Sequence, residues 1–229
     1  MPLKLIIGNK NYSSWSMRPW LALRTADIAF EEQRIAIGTD AFKAALAPLG
    51  TAGRVPVLVD GDIPVWDSLA IIEHVAETHP SRPLWPSRPA ARAFARSISA
   101  EMHASFHHLR RHLPMNLWRP VAPLALPEAV ERDVARVTAI FREARARFGS
   151  GGDFLFGAFC AADAMFAPVA TRLRTYAVPL DDVSAAYVAA IHAQPDFVAW
   201  KAEALRESEV LAEDEVDWPQ VKREPVTAA

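Results

Sequence analysis

Apolar residues change their spacing part-way along the chain. Over residues 1–79 they come in short runs: "LKLIIG" (3–8) reads as a buried strand and "EEQRIAI" (31–37) as a second one. Between and after them, "SMRPWLALRTAD" (16–27) and "DAFKAALAPL" (40–49) carry helical spacing. "VPVLVD" (55–60) and "IPVW" (63–66) flank Gly61–Asp62, which predicts a hairpin. A helix over 67–79 follows, with Leu69, Ile72, Val75 and Ala76 on one face. The order β-α-β-α-β-β-α implies a small mixed sheet with helices packed on it.

"HPSRPLWPSRPAAR" (79–92) holds four prolines and little periodicity, so it reads as a linker. Beyond it the pattern is helical at about 90–112, 128–148, 161–176, 182–193 and 196–206, broken at 114–127, 149–153, 178–182 and 194–196. The expected organisation is therefore residues 1–79, a linker over 80–90, and an all-helical unit over 91–229. The charged, weakly periodic stretch 207–229 is expected to extend along the surface.

A hydrophobic content of 51% and a charged content of 23% match an ordinary folded chain rather than a disordered one. A net charge of −2 argues against nucleic acid, which needs clustered Lys and Arg. No apolar run reaches the ~18 residues of a membrane span, and the start is too short for a signal peptide, so a cytoplasmic location is expected. One cysteine, Cys160, excludes an internal disulfide, and its apolar neighbours suggest a buried structural thiol. Any thiol chemistry then needs a thiol from outside.

Three stretches carry a resemblance: "SSWSMRPWLAL" (13–23), "RVPVLVDGDIPVWDSLAIIEHVAE" (54–77) and "CAADAMFAPV" (160–169). With the element order, they resemble the cytosolic glutathione transferases of the serine type, zeta-like and theta-like. The resemblance implies a thioredoxin-like N-terminal domain, an all-α C-terminal domain, a homodimer, and glutathione as cosubstrate with no metal. Counting back from Arg18, Ser14 matches the theta-like catalytic serine and Ser13 the zeta-like one, so both are candidates with Ser14 ahead. Trp15 stands where beta- and omega-like relatives carry cysteine, which argues against mixed-disulfide chemistry.

Glutathione brings two carboxylates, an α-ammonium and a thiol. Asp67 and Ser68 begin a helix whose free N–H groups and dipole favour a carboxylate, and Asp67 can meet the ammonium; a simple cap by Asp67 is the alternative. Val55 and Pro56 would offer a strand edge to the peptide, with a cis Pro56 implied by the resemblance, and Arg54 could reach a carboxylate. A free thiol titrates near ~8.5, and lowering that by two units takes about 2.7 kcal/mol. One hydrogen bond to a charged group supplies ~1.5–3 kcal/mol, so a serine donor suffices.

Four histidines in "EMHASFHHLRRHLPMNLW" (101–118) form two i, i+4 pairs on the expected long helix, on different faces and without a metalloprotease pattern. The matching helix lines the electrophile pocket in the family, so Trp15, His103, Phe106, Arg110 and Asn116 are weaker pocket candidates. Arg18 adds positive potential or lies on the surface, and Asp163 reads as a structural cap. The expected function is a glutathione transferase that acts on an electrophilic small molecule. A glutathione-dependent cis-trans isomerase of the maleylacetoacetate type remains open, as does a binding module without turnover; an extra cation such as Arg110 would point to the isomerase.

Overall fold

The computed structural model describes residues 2–217, so the last part of the expected surface stretch, 218–229, lies outside the described residues. Four strands form one sheet in the order β2-β1-β3-β4: β1 (Leu3–Ile7), β2 (Phe30–Arg34), β3 (Val57–Asp60) and β4 (Ile63–Val65). Strand β1 runs parallel to β2 and antiparallel to β3, while β3 and β4 make the expected hairpin. The helices of this half are α1 (Ser14–Thr25), α2 (Asp40–Leu46) and α3 (Ser68–Thr78). Then come α4 (Pro89–Ala104), α5 (His107–His112), α6 (Glu128–Phe148), α7 (Ala161–Thr175), α8 (Asp182–Ala193) and α9 (Pro195–Ala204). A thioredoxin-like sheet followed by an all-helical half is the expected class.

Period-two alternation splits β1 between two cores. Leu5 and Ile7 join a large cluster with Met17, Leu21, Ile72, Met102, Phe141 and Phe166, whereas Ile6 joins Leu46 and Val57 on the other side. Helix α1 packs against both α3 and α7. It therefore has almost no solvent face, and α7 is buried along nearly its whole length.

Several boundaries differ from expectation for physical reasons. Strand β2 ends at Arg34 rather than 37, because β1 runs out of partners at Ile7; beyond it, the Ile37 N–H is held by Asn9 Oδ1 at 2.8 Å. The expected helix 90–112 breaks into α4 and α5 at Phe106, which adopts a left-handed φ of 59° with its ring in the core. His103 and His107 thus lie on different helices. On α3 the buried face is Ser68, Ile71, Ile72 and Val75, rotated from the expected one, with Leu69 and Ala76 only partly buried. The proline-rich linker contributes Leu84 and Trp85 to the core, and Leu84 O accepts the Ala161 N–H at 2.7 Å.

After α9 the chain turns back across the N-terminal half as a strap. Glu207 accepts the Lys10 and Asn11 N–H groups at 2.7 and 3.0 Å, Arg34 meets Glu209 at 2.8 Å, and Arg119 Nε meets Asp217 at 3.0 Å. Buried Lys10 pairs with Glu32 and Glu203, its ammonium 4.9 and 5.1 Å from the Trp20 and Trp200 rings. Among the described residues, no helix is long and apolar enough to cross a membrane, and no three His, Cys, Asp or Glu side chains gather as a metal would require.

Candidate active site

The loop after β1 is fixed before it reaches the serines. Gly8 leaves no room for a side chain, since a Cβ there would lie 2.6 Å from Ile37 Cδ1. Asn9 O accepts the Ser13 N–H at 2.8 Å, and Asn11 Oδ1 accepts the Leu117 and Trp118 N–H groups at 2.7 and 2.9 Å. A rigid loop delivers the next three hydroxyls to three different places.

Ser13 caps α1: its Oγ accepts the Ser16 N–H at 3.4 Å and donates to Ser16 Oγ at 2.7 Å. Ser16, in the first turn, accepts the Gly8 N–H at 3.2 Å and ties the strand end to the helix. Ser14 belongs to neither network. Its Oγ accepts from Arg172 Nη2 of α7 at 3.2 Å, and it lines a cavity of about 520 Å³ with Tyr12, Trp15, Arg110, Arg111, Arg172 and Asp214.

Positive charge concentrates here. Arg172 is buried and also donates to Leu113 O and Pro168 O at 2.8 and 3.1 Å. The Arg18 and Arg110 guanidinium carbons lie 4.1 and 5.1 Å from the centroid of the Trp15 ring. Arg18 is wholly buried, and none of its three nitrogens has a hydrogen-bond partner among the described residues. Burial lowers the pKa of all three, most for Arg18, where Arg172 and Arg110 add repulsion; burial takes Arg172 to about 10. A guanidinium keeps its proton in proteins. The downward push is therefore mainly the cost of burying cations, with mutual repulsion added at Arg18 and Arg172, and an anion in the cavity would offset it.

At the N-terminus of α3, Asp67 holds the cap position but makes no capping bond; its carboxylate lies 3.1 Å from His103 Nε2 of α4. His103 packs edge-on against Trp15, with ring centroids 5.3 Å apart, which links this end to the serine cavity. Ser68 is fully buried with its Oγ unpartnered among the described residues. The Val55–Pro56 bond is cis, Val55 is half-buried, and Arg54 is exposed.

Two regions of the chain match models of the glutathione S-transferase family: its N-terminal domain over residues 12–78 and its C-terminal domain over 127–206. The chain belongs to the glutathione S-transferase family. Among curated relatives it is 41% identical to a probable maleylacetoacetate isomerase of Caenorhabditis elegans over 38% of this chain and 39% of that one. It is 30% identical to a Vibrio cholerae protein of the same name, over 46% and 50% of the two chains. The chain thus spans about half or less of these relatives' lengths.

Solved structures share the glutathione S-transferase fold. A Burkholderia glutathione transferase homolog with bound glutathione superposes with a TM-score of 0.67 at 21% identity, over 89% of this chain and 98% of that one. A bacterial zeta-class maleyl pyruvate isomerase gives 0.64 at 22% identity, over 90% and 100%. The N-terminal match contains Ser13, Ser14, Arg54–Pro56 and Asp67–Ser68, and the C-terminal match contains Arg172. Arg110, Arg111 and Asp214 fall outside both.

Three expected pocket residues do not line this cavity: His103, which pairs with Asp67, and two that are buried elsewhere. Phe106 is core, driven inward by the break between α4 and α5. Asn116 is buried as a bracket: its Oδ1 accepts from Asn11 Nδ2 and the Trp118 and Arg119 N–H groups, and its Nδ2 donates to Asp214 O. Arg18 is not a surface residue. Cys160 caps α7 with its thiol pKa pushed up by burial, a poor nucleophile. Arg172 and Asp214 were not anticipated; a pair of arginines in the mostly apolar run 161–175 was the available signal for the first.

Proposed function

We propose that this chain binds glutathione on its sheet domain and directs the thiolate onto a carboxylate-bearing electrophile in the Ser14 cavity. The observation that carries this is the Arg172-to-Ser14 hydrogen bond of 3.2 Å inside an arginine-lined cavity. A hydroxyl oxygen that already accepts from a guanidinium keeps its hydrogen free for a sulfur anion, and the cation strengthens it as a donor. Ser14 thus holds the thiolate, and does not itself attack.

The residues present fit the peptide. Ser68 Oγ, buried and unpartnered at a helix N-terminus, suits the γ-glutamyl carboxylate, and Asp67, free of capping duty, suits the ammonium beside it. Val55 precedes β3, where main-chain groups can meet an extended peptide.

The reaction class follows from the cations. Arg110 and Arg172 favour an acidic electrophile, which supports isomerisation over conjugation of a neutral one. The thiolate adds to one carbon of a cis double bond conjugated to a carbonyl, rotation follows about the new single bond, and the thiolate leaves as the trans double bond reforms. Glutathione is regenerated. The names of the two curated relatives support the same reading.

Bound glutathione is expected to titrate, by thiolate ultraviolet absorbance, about two units below the free value of ~8.5. Maleylacetone is expected to isomerise with no loss of thiol. An unshifted bound thiol would reduce the chain to a binding module; a shifted thiol with no isomerisation leaves a conjugating transferase. The family also supports a cytoplasmic homodimer, and a monomer mass by light scattering would refute the dimer.

A further inference from the structure

Among the described residues, the cavity beside Ser14 has a single carboxylate in its lining, and it comes from the C-terminal strap rather than from either matched domain region. The strap is seated by specific bonds: Tyr12 Oη donates to Glu215 at 2.6 Å, and Asn116 Nδ2 donates to Asp214 O at 3.4 Å. These hold the Asp214 backbone while its carboxylate makes no hydrogen bond or ion pair among the described residues. It stands in the field of Arg172, which is committed to Ser14 and two carbonyls. A carboxylate placed there has no structural bond to make, yet it subtracts one charge from a cavity rich in arginine.

We propose that Asp214 is a specificity-determining residue that sets how much negative charge the electrophile brings, favouring one carboxylate while ionised and admitting two when neutral. The inference rests on the glutathione reading above and adds the charge of the substrate. A second substrate carboxylate, within several ångströms of Asp214, meets like-charge repulsion that at an intermediate dielectric amounts to about a tenfold loss of affinity.

Burial raises the Asp214 carboxyl from 3.8 to about 6, against the opposing pull of Arg172 and with help from Glu213 and Glu215 on the strap. Tyr176 of α7 feels the same carboxylate, and Tyr12, with His107, Arg110 and Arg111 of α5, lines the same cavity. Lowering the pH through 6 removes the charge of Asp214. Doubly charged ligands should then gain affinity relative to uncharged ones.

The test compares three glutathiones that carry the same two-carbon unit on sulfur with none, one or two carboxylates, by quenching of tryptophan fluorescence: S-ethyl, S-(2-carboxyethyl) and S-(1,2-dicarboxyethyl). Asp214→Asn is expected to tighten the dicarboxylate about tenfold at pH 7.5 and to leave the S-ethyl compound within about twofold. Between pH 7.5 and 5.5 the ratio of dicarboxylate to S-ethyl affinity should rise further in the unchanged protein than in Asp214→Asn. Every other side chain that lines the cavity is common to both proteins, so the difference between them isolates Asp214. Equal changes for all three ligands would make Asp214 a structural strap residue, and an unchanged dicarboxylate or a ratio that rises no further in the unchanged protein would also overturn the proposal. Failure of even S-ethylglutathione to bind the unchanged protein would overturn the glutathione reading itself, and this inference with it.

Discussion

Ser14→Ala is expected to return the thiol of bound glutathione to near its free value of ~8.5, while Ser13→Ala leaves it low. The two hydroxyls differ in what they have left to give. Ser13 spends its one hydrogen on Ser16 Oγ, and its oxygen caps α1. Ser14 accepts from Arg172, and among the described residues its hydrogen has no protein acceptor. If the wild-type thiol titrates two units low, removal of that donor lowers the thiolate fraction at pH 6.5 from about one half to about one per cent. At that pH kcat/KM should fall roughly fiftyfold, and the loss should shrink as pH rises past ~8.5, where the free thiol ionises unaided. Ser13→Ala should instead lower stability by about 1 kcal/mol, the usual cost of a lost helix cap. A low thiol pKa in Ser14→Ala, or a normal one in Ser13→Ala, would exchange the two roles.

The sequence placed both serines at the turn into α1 and put Ser14 ahead of Ser13 without showing what divides them. That division depends on Arg172, which lies 158 positions away and meets Ser14 only because α7 packs on α1. Helix α1 also explains why Arg18 is not the surface residue that one of its two readings allowed. A lone arginine in a first turn normally faces water, but this helix is enclosed by α3 and α7 and has no wet side there. The regular helices α6 and α8 were legible to the residue because their apolar spacing is locally decided. The break at Phe106 was not, since helical spacing continues across it and the left-handed turn carries the Phe106 ring into the core, a matter of packing rather than local pattern. Asp214 was illegible for the opposite reason: a charged, aperiodic tail reads as solvated surface until the fold brings it over the cavity.

Asp163→Asn carries the second large effect, and its size depends on pH. The two carboxylate oxygens of Asp163 take separate partners: Oδ1 accepts the Leu155 N–H at 3.0 Å and Oδ2 the Cys160 N–H at 2.8 Å. Asparagine offers one oxygen, so one buried N–H faces an amide NH2, a loss of about 1–3 kcal/mol. Burial also raises the wild-type carboxyl from 3.8 to about 6, although both N–H bonds oppose it. Between those values the folded chain binds more protons than the unfolded one, so this group's contribution to stability falls as pH rises through the window and is greatest below it. The wild type therefore gains about 2 kcal/mol from Asp163 between pH 7.5 and 4.5, and asparagine, which does not titrate, gains none. Denaturant unfolding should show a gap between the two proteins that widens by that amount as the pH is lowered, and a constant gap would refute the burial argument. Because Arg172 sits on the same helix more than two turns further on, the thiol titration of Asp163→Asn tells the two functions of α7 apart. A lower stability with an unchanged thiol pKa means the cap holds the helix without tuning Ser14; a raised thiol pKa means the position of Arg172 depends on that cap.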